Sequence, residues 1–275
     1  MYLSHFGLTE LPFGITPDTQ FFWATGSHQE AMNTLLVALH GGEGFVKITG
    51  EVGTGKTLLL RRFMAELEKD CLTAWLPNPQ MGPRALLLAV AEELGAQGAM
   101  NDAAQAIKAI HARLIELAAA SRKVVLCIDE AQTMPPLTLE SLRLLSNLET
   151  EKRKLMHIVL FGQPELDKML AAKSARQLRQ RIAFHYTLHG LTRSELDRYV
   201  EHRLRVAGYR GEPLFSPAAR RLLYRVSQGT PRLVNILSHK AMLAAFGEGR
   251  GRVSRHHIVL AACDTDGVCR PRPWW

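Results

Sequence analysis

The sequence contains no apolar run that approaches the ~18 residues that a helix needs to cross a bilayer. Its first residues lack the basic flank and the apolar centre of a secretion signal. Only four cysteines occur among 275 residues (Cys71, Cys127, Cys263 and Cys269), and no two of them form a C-x-x-C pair. Neither a zinc ribbon nor a disulfide framework is therefore indicated, and we expect a cytoplasmic protein.

Acidic residues are scarce in the second part of the chain. Residues 173–275 contain 19 Lys and Arg but only 7 Asp and Glu, whereas residues 1–172 contain 15 and 19. Such an excess of positive charge is compatible with nucleic acid, an acidic partner or an anionic membrane surface. A solvated, arginine-rich helical region explains it equally well, because charge patterning alone does not identify a partner.

One glycine-rich stretch, Gly50-Glu51-Val52-Gly53-Thr54-Gly55-Lys56-Thr57, fits the pattern G-x-x-x-x-G-K-[ST]. It lies between a predicted strand, Phe45–Thr49, and a predicted helix, Leu58–Leu67, which is the context that a phosphate-binding loop requires. The glycines allow successive backbone N–H groups to point at an anion. We expect Lys56 to reach the terminal phosphates of ATP and Thr57 to coordinate a phosphate-bound Mg²⁺.

Short apolar segments alternate with helical patterns before Gly190, which predicts a parallel α/β sheet. The further predicted strands are Leu72–Leu76, Val124–Ile128, Leu155–Phe161 and Ala183–Leu188. Beyond Gly190 only helix signals occur, beginning at Thr192, Ser216, Pro231 and about Ser254. The predicted domains are an α/β nucleotide-binding core with an aromatic N-terminal segment (residues 1–190), a small all-helical lid (191–247), and a basic C-terminal helix and tail (248–275).

Polar side chains follow two of the predicted buried strands. Asp129 and Glu130 come directly after Val124–Ile128, where a glycine-loop NTPase needs a Mg²⁺-holding carboxylate and a base for the attacking water. We expect Asp129 to hold the metal and Glu130 to act as the base. Gln163 follows the strand that such sheets place between the other two, so its amide could position water or bind only backbone.

Arginines occur at two places where they suit phosphate recognition. Arg176, Arg179 and Arg181 precede the last predicted strand, and one of them could enter a neighbouring subunit's nucleotide site, although the spacing alone selects none. Arg232 lies in the first turn of a predicted helix, where its charge opposes the helix dipole. That position suggests a phosphate partner for Arg232, which would couple closure of the lid to the γ-phosphate.

Together these motifs resemble those of AAA+ ATPases. Gly50–Thr57 is similar to Walker A, Val124–Glu130 to Walker B, Gln163 to sensor 1 and Gly229–Arg232 to sensor 2. Within the superfamily the resemblance is to the secretion-pathway protein A (ExeA-like) type, in its MSHA pilus biogenesis (MshM) branch. The residues that carry it are Phe6–Leu8, Pro12-Phe13, Pro17-Asp18, Gly50–Thr57, Ile128–Gln132, Gly162–Leu166, Leu178–Ile182 and Gly229–Asn235.

The resemblance implies a P-loop core with a helical lid, ATP and Mg²⁺ as cofactors, and hydrolysis between the subunits of a ring or filament. It implies that Arg181 is the arginine finger, with Arg179 in reserve. The implied partners are pilus or secretion-machine components, which would bring the protein to the periphery of the inner membrane. Longer ATPases of this type continue into a membrane span and a peptidoglycan-binding region. Because this sequence ends at Trp275, the resemblance favours the short, pilus-biogenesis form.

Two alternatives stay open. DNA-transposition ATPases of the TniB/TnsC kind share much of this core, so the basic second half is also compatible with an ATP-switched DNA-binding protein. We regard nucleic acid as the less favoured partner. A small-molecule kinase would share the glycine loop, but the tandem Asp129-Glu130 and the helical region that carries Arg232 argue against one.

Overall fold

A computed structural model describes residues 2–16, 18–67, 71–98, 101–149 and 154–268. These residues form two compact units. The α/β unit consists of residues 26–52 and 59–188 and contains a parallel sheet. The helical unit consists of the described residues of segments 1–25, 53–58 and 189–275.

Five strands form the sheet: β1 (Phe45–Gly50), β2 (Cys71–Leu76), β3 (Lys123–Ile128), β4 (His157–Gly162) and β5 (Ile182–Leu188). All the pairings are parallel, and the order is β2-β3-β4-β1-β5. β4 therefore lies between β1, which leads into the glycine loop, and β3, which ends just before Asp129. Because the carboxyl ends of parallel strands share one edge, the segments that follow β1, β3 and β4 emerge side by side.

The α-helices of the described residues are, in chain order, α1 (Leu3–Phe6), α2 (Gly26–His40), α3 (Lys56–Leu67), α4 (Pro83–Glu93), α5 (Ala103–Ala119), α6 (Pro136–Leu145), α7 (Glu165–Ala171), α8 (Arg176–Arg181), α9 (Arg193–Val206), α10 (Pro217–Ser227), α11 (Pro231–Gly247) and α12 (Arg255–Cys263). The short helices α1, α7 and α8 were not predicted, because four to seven residues are too few to show a helical period. No helix among these is long and apolar enough to cross a membrane.

The predicted α/β fold and its parallel strands are confirmed. The largest difference in a strand boundary is that β4 begins at His157 and not at the predicted Leu155, whereas the other strand ends match the predicted ones to within one residue. The Leu155 N–H donates to the carbonyl of Leu148 at 3.2 Å, so this residue is paired with the preceding segment and not with the sheet.

Both faces of the sheet are covered by helices, and β3 shows how. Val124, Leu126 and Ile128 pack in one hydrophobic cluster with α4 and α5, among other helices. Val125 and Cys127 pack in a second cluster with side chains of α2 and α3. Alternate residues of a strand point to opposite faces, so a strand covered on both sides is apolar throughout. That explains why β3 reads as a continuous apolar run.

The helical unit begins its helices where the sequence predicts. Thr192 caps α9 in a capping box, since its hydroxyl accepts from the Glu195 N–H at 3.3 Å and the Glu195 carboxylate accepts from the Thr192 N–H at 2.8 Å. Ser216 caps α10 by accepting from the Ala219 N–H at 3.1 Å, and Pro217 occupies the first turn. These caps satisfy helix-end donors that would otherwise lack partners.

The N-terminal aromatic segment belongs to the helical unit. Its buried side chains Tyr2, Phe6, Phe13 and Phe21 lie in the same hydrophobic cluster as α9, α10, α11 and α12. This grouping differs from the predicted division, which assigned the segment to the 1–190 core. α12 also packs in this cluster, although the division placed residues 248–275 apart from the lid. Residues 269–275 of the predicted tail lie outside the described residues.

Arg203 of α9 fastens the N-terminal segment to the helical unit. Its guanidinium is buried and donates to the carbonyl of Pro12 at 2.5 Å and to that of Gly14 at 3.4 Å. It also donates to the Tyr199 hydroxyl at 3.1 Å and lies 4.8 Å from the centre of the Phe21 ring. Hydrogen bonds and cation–π contact together compensate the desolvation of a buried charge.

Replacing Arg203 with Met should lower the free energy of unfolding by about 2–4 kcal/mol, because the Pro12 carbonyl and its neighbours lose a charged donor. Chemical denaturation measures this change. The matched control is Arg205→Met on the same helix, whose side chain is exposed and which should cost little. Equal losses in the two variants would contradict the anchoring role of Arg203.

Candidate functional site

The glycine loop has the backbone that its sequence requires. Gly53 and Gly55 have φ angles of 83° and 95°, which lie in the region that side chains with a Cβ rarely adopt. Gly50 ends β1, whereas Glu51 and Val52 are exposed. Lys56 begins α3 and is buried, with 5% of its surface exposed, and Thr57 follows it in the first turn. The amino end of a helix after a glycine turn is a ready-made anion site.

Within the helical unit the loop contacts the start of α11. The Arg232 N–H donates to the Gly53 carbonyl at 3.2 Å. A Cβ added at Gly53 would lie 2.6 Å from the Cβ of Arg232 and 3.3 Å from the Cγ2 of Thr230. Gly53 is therefore required both by its backbone angle and by the space that α11 leaves.

Arg232 lies in the first turn of α11, after its N-cap Thr230 and after Pro231. Its side chain is exposed and forms no ion pair within 4.0 Å with a carboxylate of the described chain. The positive end of the helix and this guanidinium add to one another, so an anion at this end of α11 would be stabilised by both. The structure thus brings Arg232 together with the second half of the glycine loop.

Asp129 and Glu130 follow β3 in the α/β unit. Asp129 is almost fully buried, its Oδ1 accepts from the Glu130 N–H at 2.9 Å, and its own N–H donates to the Leu76 carbonyl at 2.9 Å. Burial raises the pKa of the neighbouring Cys127 thiol, and the negative charge of Asp129 raises it further. Cys127 is therefore a protonated part of the core.

Glu130 and Gln163 are brought together, as expected for the ends of adjacent strands. The Gln163 Nε2 donates to the Glu130 Oε2 at 3.2 Å. A second amide, that of Gln132, donates to the same Oε2 at 2.6 Å, and its oxygen accepts from the Gln163 backbone N–H at 3.0 Å.

Sequence reasoning did not assign a role to Gln132. It lies in a 3-10 segment, Ala131–Thr133, which turns back after Glu130 adopts a left-handed backbone with a φ of 48°. No hydrophobic period marks such a short turn. The only available signal was its place in the stretch Ile128–Gln132.

The arginines before β5 have different surroundings. Arg181 ends α8, is half-buried, and donates to the Ser146 hydroxyl and, at 3.4 Å, to the Arg143 carbonyl. Arg176 and Arg179 are exposed, and neither forms an ion pair within 4.0 Å with a carboxylate that the structure describes. All three belong to the α/β unit.

The donor set suits Mg²⁺ and no softer metal. The expected ligands, the Thr57 hydroxyl and the Asp129 carboxylate, are oxygen donors of the kind Mg²⁺ binds beside substrate phosphates. Over the described ranges no group of three His, Cys, Asp or Glu side chains could hold a metal ion on its own. Oxygen donors of this kind suit a Mg²⁺ that arrives with a nucleotide and keeps some of its water.

Comparison with known proteins finds one matching domain family and one curated relative. The AAA domain family matches residues 39–170. Over all 275 residues the chain is 40% identical to general secretion pathway protein A of Aeromonas hydrophila, and it spans 50% of that relative. The chain is therefore similar to the AAA domain family over residues 39–170 and to secretion pathway protein A over its whole length, and it spans about half of that relative.

Solved structures with the same fold include an ORC2 protein, a Cdc6p protein and a RuvB motor. Aeropyrum pernix ORC2, in ADPNP and ADP complexes, has a TM-score of 0.66 at 17% identity, over 92% of this chain and 72% of its own. Pyrobaculum aerophilum Cdc6p has a TM-score of 0.66 at 16% identity, and the match covers 90% of this chain and 70% of the Cdc6p chain. The Thermotoga maritima RuvB branch migration motor has a TM-score of 0.59 at 16% identity, and the match covers 92% of this chain and 72% of the RuvB chain. At such identities these likenesses show the AAA+ P-loop fold alone.

Replacing Gly53 with Ala should destabilise the protein and weaken ATP binding, because the new Cβ overlaps Arg232 as well as forcing an unfavourable φ. The control is Gly42→Ala, with a φ of 78° and nothing within 4 Å of the added Cβ. That variant should lose only the backbone cost, about 1–2 kcal/mol. Thermal unfolding and titration with a fluorescent ATP analogue measure both effects. Equal losses of stability and of ATP affinity in the two variants would show that the contact with α11 contributes nothing to either.

Proposed function

We propose that this chain, an AAA-domain protein related to general secretion pathway protein A, hydrolyses Mg²⁺-bound ATP to ADP and phosphate. The observation that carries the proposal is the contact between Glu130 and Gln163 at the edge of the sheet where β1 leads into the glycine loop. A binding module needs a phosphate cradle, but only a hydrolase also needs a positioned base.

ATP binding is assigned to the glycine loop and to Arg232. The backbone N–H groups from Gly50 to Thr57 surround the phosphates, Lys56 binds the terminal phosphates, and the Thr57 hydroxyl and Asp129 hold Mg²⁺. Mg²⁺, when bound, neutralises charge on the β- and γ-phosphates. Arg232 adds its positive charge to the terminal phosphate, and its N–H contact with Gly53 supports this role.

Hydrolysis is assigned to Glu130 with Gln163. Glu130 accepts a hydrogen bond from a water, orients it in line with the γ-phosphorus and takes its proton as the new P–O bond forms. The bond between the γ-phosphorus and the bridging oxygen breaks, and ADP leaves with the electron pair. Gln163 binds the same carboxylate, and in this proposal it also binds the water or the γ-phosphate.

We further propose that the site is completed by a second copy of the chain in a ring or filament. Arg181 supplies the arginine finger, and the exposed Arg179 is the alternative. The hydrogen bonds of Arg181 to Ser146 and Arg143 hold it at the end of α8 in the free chain, from which the side chain would have to turn towards a neighbour. A guanidinium that arrives from outside stabilises charge on the transferred phosphoryl group.

The machine that uses this ATP is proposed from the relative. General secretion pathway protein A is named for a secretion pathway, and we extend this to a secretion machine or an MSHA-like type IV pilus. In that role the chain acts in the cytoplasm, at the inner membrane through its partners. The chain spans 50% of this relative, so the proposal does not extend to what the other half of that protein does.

Replacing Glu130 with Gln should lower kcat for ATP by about 10²–10⁴-fold while leaving ATP binding intact, because only the base is lost. Lys56→Ala should instead abolish tight ATP binding, since it removes the charge that meets the phosphates. Phosphate release and nucleotide titration separate the two effects. Glu92→Gln, an exposed carboxyl of α4, is the matched control. Parental turnover in Glu130→Gln would exclude the assigned base.

A shared site makes the rate per subunit rise with protein concentration. Arg181→Ala and Glu130→Gln subunits should each be inactive alone and should recover activity when mixed, because a mixed interface contains one intact Glu130 and one intact Arg181. Arg176→Ala and Arg179→Ala serve as matched comparisons on the same helix. Absence of recovery with Arg181→Ala but recovery with Arg179→Ala would move the finger to Arg179.

DNA binding is the second candidate, and it rests on exposed arginines of the helical unit. Arg205, Arg210, Arg221, Arg225, Arg250, Arg252 and Arg255 are exposed, and none has a carboxylate within 4.0 Å in the described part of the chain. Such arginines neutralise backbone phosphates without reading sequence. ATP-dependent binding of a labelled duplex that weakens steeply with salt would favour this function, whereas no binding at low salt would remove it.

A further inference from the structure

The side-chain amide of Gln132 forms hydrogen bonds through both its oxygen and its nitrogen, one to Gln163 and one to Glu130. Its oxygen accepts from the Gln163 backbone N–H at 3.0 Å, and its Nε2 donates to the Glu130 Oε2 at 2.6 Å. A backbone N–H can only donate and a carboxylate accepts, so the amide has one satisfactory orientation. The side chain therefore bridges the end of β4 and the carboxylate that follows β3.

The bridge also determines which oxygen of Glu130 is engaged. Both amides, those of Gln132 and Gln163, donate to Oε2, and no donor of the described residues is recorded at Oε1. Two donors on one oxygen restrict rotation of the carboxylate and leave the other oxygen to accept from a water. A base for hydrolysis needs one oxygen that can accept from a water in this way.

Gly162 provides independent evidence that space is kept for this amide. A Cβ at Gly162 would lie 3.1 Å from the Gln132 Oε1 and 2.9 Å from the Cδ2 of Leu166. The φ of Gly162 is not in the left-handed region, so the space around the residue, and not its backbone angle, favours glycine. A Cβ there would require the Leu166 side chain and the Gln132 amide to shift.

We infer that Gln132 is a positioning residue that holds the Glu130 carboxylate and ties its orientation to Gln163. This inference rests on the proposed function, since it concerns the base of that hydrolysis. Gln132 touches neither nucleotide nor water in this role and acts only through Glu130. The Gln132 bridge aligns Glu130 with the end of β4 through the Gln163 backbone N–H, independently of the Gln163 side chain.

The test replaces Gln132 with Met, which keeps the length of the side chain and removes both hydrogen bonds. kcat for ATP should fall by about tenfold to a hundredfold, since a carboxylate displaced by about 1 Å loses its alignment with water. The Kd for a fluorescent ATP analogue should stay unchanged. Thr133→Val is the matched control, because the Thr133 hydroxyl bonds only the Glu130 backbone carbonyl, at 2.9 Å, in the same turn. It should retain the parental kcat.

A double-variant comparison separates positioning from structural support. In a Glu130→Gln background, Gln132→Met should lower the remaining rate no further, because the group through which it acts is already lost. An equal further loss in that background, or an equal loss in Thr133→Val, would overturn the inference. Gly162→Ala should share the kcat defect with unchanged Kd.

The outcome also distinguishes the inference from the function on which it rests. If the parental chain hydrolyses ATP in a manner that depends on Glu130 but Gln132→Met keeps full kcat, only the positioning role is wrong. If the parental chain releases no phosphate at any protein concentration, the proposed hydrolysis itself is wrong. Thermal unfolding of every variant checks that loss of rate is not loss of folded protein.

Discussion

The hydrogen-bonded position of β4 between β1 and β3 is the constraint on which the rest of the α/β unit depends. Parallel pairing on both sides aligns the three carboxyl ends, with Thr49 opposite Gly162 and Ile128 opposite Leu160. The strand pairing alone is then enough to make neighbours of the residues that follow each strand. Glu130 and Gln163, which are distant in the chain, meet at hydrogen-bonding distance for this reason.

Backbone conformation supplies the second level of organisation. Gly53 and Gly55 in the left-handed region allow the turn into α3, and Glu130, with a φ of 48°, reverses the chain so that Gln132 reaches back to its carboxylate. A non-glycine residue in this region is strained, and the backbone N–H of Thr133, which donates to the Glu130 carbonyl at 2.9 Å, holds the turn that follows it.

The helical unit has a separate construction. Its cluster draws aromatic side chains from the first 25 residues onto α9 to α12, and the buried Arg203 closes the arrangement through backbone carbonyls. Gly53 belongs to this unit and contacts Arg232 there. Residues 53–58 of the glycine loop and the start of α3 group with this unit, whereas Gly50 groups with the α/β unit.

Local patterns in the sequence determined the strands, the capped helices, the glycine loop and the identity of Asp129-Glu130, because each depends on residues close together in the chain. Tertiary structure alone decided that the N-terminal aromatics join the helical unit, that Arg181 contacts Ser146, and that Gln132 bridges Glu130 and Gln163. These contacts join residues whose pairing has no period and no fixed spacing. They depend on which surfaces the folded chain brings into contact, and a single sequence does not specify that.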